Sequence, residues 1–151
     1  MIDYYSLPNE KFNYRHLLEA NRLVDDSFAN GYFSNHLNEI QRAWIALDKK
    51  RVVGWAAVSE CTLRCVVVHP DYRGQGIGQE LTRLRLEYLD CCDKVYSYAW
   101  VRPDGTCMSC KNLENFGFTL HKEVNEYYNK CKYCGSNCGC VARQYIKINQ
   151  R

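Results

Sequence analysis

Apolar and polar residues change period several times along the chain, and each change predicts an element. Residues 2–5 alternate weakly and predict a short first strand, punctuated by Pro8 and Asn9. Over residues 12–28 the spacing turns helical. Tyr14, Leu17, Leu18, Val24 and Phe28 fall on one face, with Arg15, Glu19, Arg22 and Asp26 elsewhere. Asn30-Gly31 breaks that pattern, and residues 34–41 predict a second short helix capped by Ser34 or Asn35. Strand-like runs follow at 43–47, 52–58 and 63–68, and the tight turn at 48–50 predicts antiparallel pairing of the first two. Pro70 ends the third, because proline cannot continue a central ladder. After a glycine-rich loop, Ile77, Leu81, Leu84, Tyr88, Leu89 and Cys92 recur at spacings of three and four, the signature of an amphipathic helix. Residues 95–101 predict a strand and 108–116 a short helix stopped by Gly117. Residues 118–128 and 141–148 predict two last strands joined by a cysteine-rich tip. The order is mixed α/β (α+β), with no internal repeat or linker, so residues 1–151 are expected to form one domain.

Composition narrows the class. The chain of 151 residues is long enough to bury a core without staples. Charged residues are 25% and the net charge is +3, which excludes both a highly charged disordered tail and a histone-like composition. No run approaches the apolar length of a membrane span, and the first residues lack the basic and apolar regions of a secretory signal. A cytoplasmic protein with reduced thiols is therefore expected, and the ten cysteines are then read first as metal ligands where they cluster.

The loop Val66-Val67-Val68-His69-Pro70-Asp71-Tyr72-Arg73-Gly74-Gln75-Gly76-Ile77-Gly78 carries the strongest chemical signal. Glycines between a strand and a helix expose successive backbone N–H groups at the positive end of the helix dipole, a nest that suits a pyrophosphate. A Walker A loop fails, because Gly78-Gln79-Glu80 stands where Gly-Lys-Ser/Thr is needed. A G-x-G-x-x-G dinucleotide fingerprint fails in both registers, at Gln79 and at Leu81. The pattern R-x-x-G-x-G is met in full by Arg73, Gly76 and Gly78, with Val68, Pro70 and Ile77 matching the flanks. The segment closely resembles the central motif of the GNAT superfamily of acyl-CoA-dependent N-acyltransferases. The resemblance runs through residues 63–89 by motif and roughly 40–120 by order of elements. It implies a twisted mixed β-sheet of about six to seven strands flanked by about four helices. It also implies a gap between the fourth and fifth strands that admits the pantetheine arm of acetyl-CoA. By the same resemblance, backbone groups of Val66 and Val68 pair with the pantetheine. The amides of Gly74, Gln75, Gly76, Ile77 and Gly78 hold the pyrophosphate, and Arg73 assists by charge.

The implied reaction is transfer of acetyl from acetyl-CoA to a primary amine of a small molecule, peptide or protein. Attack is direct in a ternary complex, so positioning supplies much of the rate. An amine arriving as ammonium needs a base. Glu60, just before the fourth strand, lies near where such proteins place a base-like carboxylate, or else it is a solvated turn residue, as most exposed Glu residues are. The family's late motif resembles N-x-x-A-x-x-L-Y-E-K-x-G-F. Aligned on Gly117-Phe118, it puts Thr106 at the Asn position, where a hydrogen bond to the cofactor is implied, and Ser109 at the Ala position. Glu114 matches, but Leu113 stands where the proton-donating tyrosine belongs. That role passes to Tyr127, Tyr128, Tyr145, a water or nothing. Asp25 and Asp26 are placed to attract an amine, and Tyr32 and Phe33 to wall it, or else they form a solvated acidic turn. The departure at Leu113 keeps a rival open: a non-catalytic module that binds acyl-CoA, or a zinc-hairpin adaptor that binds protein or nucleic acid.

Cys131, Cys134, Cys138 and Cys140 have the spacing C-x-x-C-x-x-x-C-x-C, with Gly135 and Gly139 inside the turns. Four thiolates close a tetrahedral structural Zn(II) site, while disulfides or free thiols are the other readings. Cys107 and Cys110 form a C-x-x-C that is a redox pair, a contributor to the metal set, or two small, partly buried residues. Cys61, Cys65, Cys91 and Cys92 read as ordinary core or surface thiols, with Cys65 alternatively facing the acyl site, and His69 reads as a structural residue or else one that touches cofactor. From Tyr127 onward Lys130, Lys132, Arg143, Lys147 and Arg151 meet no acid, so either an acidic partner such as nucleic acid or a solvated basic surface is implied.

Overall fold

Nearly continuous apolar runs form the centre of the sheet because both of their faces are covered. In the computed structural model, which describes residues 1–8, 14–25, 37–107, 109–124 and 140–150, Arg42–Asp48 (β2) and Arg51–Ser59 (β3) pair antiparallel across the turn at Lys49 and Lys50. Every interior position of both strands is buried. Ile2–Pro8 (β1) pairs antiparallel with β2, and Thr62–Val68 (β4) with β3. Tyr14–Asp25 (α1) packs Ala20, Leu23 and Val24 against one sheet face, with Ile45, Leu47, Trp55 and Val67. Ile77–Tyr88 (α2) packs Ile77 and Leu81 against the other, with Trp44, Ala46, Val53 and Val58. Burial of about 25 cal/mol per Å2 of apolar surface on two faces is the main force holding this three-layer arrangement.

Gly54 on β3 marks the closest approach of α2 to the sheet. A Cβ there would lie 3.1 Å from both Ala46 Cβ and Leu81 Cδ1, and 3.2 Å from Ile77 Cγ2.

Lys94–Val101 (β5), Cys110–Asn115 (α3), Thr119–Val124 (β6) and Val141–Ile148 (β7) complete the described elements. Gly117, at φ +91°, stops α3 as the sequence predicts, and the Phe118 N–H turns back to Leu113 O at 2.9 Å. The sheet has seven strands in the order β1-β2-β3-β4-β5-β7-β6. The last two strands pair antiparallel as expected, but β7 inserts between β5 and β6 and runs beside β5 along its whole length. Residues 37–39 are helical within the span expected for the second helix. No helix among the described residues is long and apolar enough to cross a membrane.

β4 and β5 run parallel and pair where Thr62 meets Tyr96, reinforced by the Tyr96 N–H donating to Cys61 O at 2.9 Å. At the same end a disulfide joins Cys61 to Cys92, with Cα atoms 6.0 Å apart. Beyond that end the two strands separate, because β5 continues with β7 while β4 continues with β3 alone.

Candidate functional site

The far half of β4 faces the gap with its backbone. The His69 N–H donates to Val53 O at 2.8 Å, and Trp55 lies opposite Val67. Antiparallel ladders alternate bonded and non-bonded pairs. The pairs Gly54/Val68 and Ala56/Val66 are therefore non-bonded, and the N–H and C=O groups of Val66 and Val68 point away from β3 toward β5. Val66 is 38% exposed although it lies on an inner strand. One of these four groups is taken: Arg73 Nε donates to Val68 O at 3.1 Å.

The chain then turns through Pro70–Tyr72, a short turn capped by His69, whose Nδ1 lies 3.1 Å from the Asp71 N–H. Arg51 Nη2 lies 2.9 Å from His69 Nε2, and the Tyr72 hydroxyl donates to Asp48 Oδ2 at 2.5 Å. That bond, first among the causes, raises the tyrosine's pKa. Asp48 and Arg51 flank the β2–β3 turn, so this cluster pins the glycine loop to the sheet. His69 thus braces the turn of its own loop.

Gly74 and Gly76 take φ of +79° and +82°, and nothing stands within 4 Å of where their Cβ atoms would be. Glycine is needed here for its backbone conformation, and the space above it is open. Gly76 is the N-cap of α2, and the amides of residues 74–79 donate to no backbone carbonyl among the described residues. Residues 73–76 are exposed. The result is a row of backbone donors at a helix N-terminus that no backbone carbonyl takes. The one acid of the first turn is neutralised: Arg83 Nε and Nη2 donate to the two Glu80 carboxylate oxygens at 2.9 and 2.7 Å. The Arg83 bond holds the Glu80 carboxyl below its usual range, and an incoming anion meets a compensated pair.

Thr106 lies across the gap in the tight loop after β5. Its N–H and Oγ1 both bond to Asp104 Oδ1, at 2.9 and 2.7 Å. The hydroxyl proton is committed inside the loop, so toward a ligand Thr106 offers its oxygen as an acceptor. Glu60 takes a left-handed φ of +54° in the exposed β3–β4 turn, its N–H donating to Gln41 Oε1 at 2.9 Å. The seven residues of β4 separate it from the phosphate loop, roughly 20 Å of strand rise. The structure thus gathers residues 66–78 at one end of β4 and sets Glu60 at the other. Arg64, on β4, forms an ion pair with Glu39 beside the Glu60 turn.

Leu113 is buried in the core, so the place of the usual tyrosine is filled by packing. Tyr145 is likewise buried there. Tyr127, Tyr128, Asp26, Tyr32 and Phe33 lie outside the described residues. Leu18, expected on the apolar face of the first helix, is exposed, and Tyr88 of α2 is 46% exposed.

The cysteines correct the expectation of reduced thiols at two places. Cys61 is bonded to Cys92, and Cys107 to Cys110 at the start of α3. Sequence spacing held no signal for the first pair, whose members are 31 residues apart. Cys91 is exposed and outside either bond. Of the proposed zinc set, Cys131, Cys134 and Cys138 lie outside the described residues. Cys140 is buried with Trp100, Val124 and Ala142 at the start of β7. Among the described residues no three His, Cys, Asp or Glu side chains gather as a metal site. Both described basic residues of the tail are engaged: Lys147 Nζ donates to Phe116 O at 2.7 Å, and Arg143 lies 4.0 Å from Glu123; Lys130, Lys132 and Arg151 lie outside the described residues.

Sequence reading also passed over Arg85. It is 2% exposed, and burial pushes its pKa down to about 10, so it stays charged at neutral pH.

The model of the family described as the acetyltransferase (GNAT) family matches residues 2–118. No curated protein sequence matches the chain. Several solved structures share the fold. The ribosomal-protein-S18-alanine N-acetyltransferase of Escherichia coli is 16% identical, with a TM-score of 0.72 over 100% of this chain and 96% of that one. A chain of the NatC complex bound to Gag peptide and CoA is 19% identical, with a TM-score of 0.72 over 99% of each. NAA60 of Arabidopsis thaliana, in complex with a bisubstrate analogue, is 13% identical, with a TM-score of 0.70 over 97% of this chain and 98% of that one.

Proposed function

The chain belongs to the GNAT acetyltransferase family, and we propose on that premise that it transfers acetyl from acetyl-CoA to a primary amine of a small molecule, peptide or protein. Members of this family are acetyltransferases. The observation that carries the reading is the open row of amides at residues 74–78 beside a β4 edge that has left β5. In this reading those amides and the Arg73 guanidinium hold the pyrophosphate. Val66 and the Val68 N–H pair with the pantetheine amides, and Thr106 accepts a hydrogen bond from across the gap. The amine attacks the thioester carbon, the C–S bond breaks, and the thiolate takes up a proton. Glu60 accepts the amine's proton, directly or through water, given its distance from the loop. Fixing donor and acceptor in one cleft supplies the rest.

Release of free thiol from acetyl-CoA, followed across a panel of amines, tests the proposal. Turnover with at least one amine is expected, and Glu60→Gln should lower kcat/KM by about a hundredfold or more. An unchanged rate in that variant would remove Glu60 from the reaction. The burial of Leu113 at the usual tyrosine position favours a second reading, an acyl-CoA-binding module without turnover. Tight CoA binding with no thiol release from any amine would establish it.

The C-terminal cysteines are proposed to hold one structural Zn(II). The support is their spacing together with the burial of Cys140 at the base of the segment. Metal analysis of protein purified without added zinc should give about one zinc per chain, and chelator should leave CoA binding intact. Zero zinc with all four thiols titrating would end this proposal.

A further inference from the structure

We propose that Arg85 is the positioning residue that holds β4 in the kinked course the acyl-CoA cleft needs, and that it ties this kink to the phosphate loop. The inference rests on the cofactor reading just given.

The β3–β4 ladder shifts register between Ala56/Val66 and Val58/Leu63, passing over Ala57 on β3 and Arg64 and Cys65 on β4. A shift of this kind bends the strand and releases carbonyls from the ladder. Two such carbonyls are taken by one atom: Arg85 Nη1 donates to Ala57 O at 3.2 Å and to Arg64 O at 2.9 Å. Arg85 Nε lies 3.4 Å from Leu81 O, and Nη2 donates to Thr82 Oγ1 at 3.0 Å. The Thr82 hydroxyl in turn donates to Gly78 O at 3.0 Å. A continuous hydrogen-bonded chain therefore runs from Gly78, in the phosphate nest, through Thr82 and Arg85 to the kink of β4. Beyond that kink lie Val66 and Val68, the residues whose backbone faces the gap.

The chemistry of the side chain supports a positioning role. Among the described residues no carboxylate is in ion-pair range of Arg85, and the group that acts on it electrostatically is the buried Cys65 thiol. Leucine or methionine would fill the same helix face without the desolvation cost of a charge. What guanidinium alone offers is a rigid fork of donors that reaches two strands and its own helix at once. Without it, two carbonyls beside the core would lose their acceptor bonds. Lysine, a single point donor, cannot span them all.

The test uses CoA itself as probe, by isothermal titration calorimetry on wild type, Arg85→Met, Arg85→Lys and Lys122→Met. Lys122 is exposed on β6, at the edge of the sheet away from the β4–β5 gap, and its variant should bind as wild type does. Arg85→Met and Arg85→Lys, shown folded by circular dichroism, should each weaken CoA binding about tenfold or more. A folded Arg85→Met with wild-type affinity would overturn the proposal, since a purely structural role lowers melting temperature without changing affinity. Wild-type affinity in Arg85→Lys would equally overturn it, by showing that charge suffices. If neither variant folds, the wild type decides by linkage. A fork that holds the binding-competent β4 must itself be held by the ligand. CoA should then slow exchange of the Arg85 guanidinium protons several-fold by NMR, and unchanged exchange would overturn the proposal. Failure of wild type to bind CoA at all would instead overturn the cofactor reading, and this inference with it.

Discussion

Gly76→Glu is expected to weaken CoA binding by at least about a hundredfold while leaving a folded protein. The position is open, with nothing within 4 Å of a Cβ. The side chain therefore meets no wall and stands over the amides of residues 74–78. Its carboxylate opposes the diphosphate at close range, and a like charge across an interface costs several kcal/mol. A separate cost falls on stability, since a φ of +82° in a non-glycine residue costs about 1–2 kcal/mol. For a domain of this size that is a fall in Tm of roughly 2–8 °C. Gly76→Ala carries the backbone cost without the charge and should lose much less affinity. Calorimetry of the two variants against wild type checks both parts. Equal CoA affinity in a folded Gly76→Glu protein would show that the nest does not hold the pyrophosphate.

Gly54→Val should have the largest effect on stability, about 3 kcal/mol or more, with Tm falling roughly 10 °C. Even the first added carbon falls 3.1 Å from Ala46 Cβ and Leu81 Cδ1 and 3.2 Å from Ile77 Cγ2. Ala46 is fixed by the neighbouring strand, so relief requires α2 to move off the sheet. Ile77 is the first residue of that helix, and the phosphate nest moves with it. CoA affinity should then fall alongside stability, whereas Gly76→Glu separates the two. Gly54→Ala, with no added methyls beyond the Cβ, should cost less. Thermal melts of the three proteins decide it, and an unchanged Tm in Gly54→Val would mean that helix and strand are farther apart than their packing indicates.

The two glycines differ in how they can be read. Gly76 is legible in the sequence because its reason is local: a strand end, Arg73, three glycines and a helix start lie within eleven residues. Gly54 looks like any weak point in a strand, and only the passage of α2 over it explains why it has no side chain. The same contrast holds for charge. Arg73 sits in a motif, while Arg85 sits at a helical position that looks ready for solvent, between Leu84 and Leu86.

By itself the sequence determined the order of elements, the glycine nest and the stop at Gly117, because period, backbone conformation and helix capping are decided by residues a few positions apart. The same locality exposed the mismatch at Leu113, whose place the fold fills with core packing. Tertiary structure alone decided the insertion of β7 between β5 and β6, the Cys61–Cys92 bond, and the register shift that Arg85 bridges. Each of these joins groups far apart in the chain. Arg85 and Arg64 are 21 residues apart, and Asp48 reaches Tyr72 across 24. A hydrogen bond at such separation is chosen by which faces the packed layers bring together, and the pattern along one strand or one helix carries no record of its neighbour.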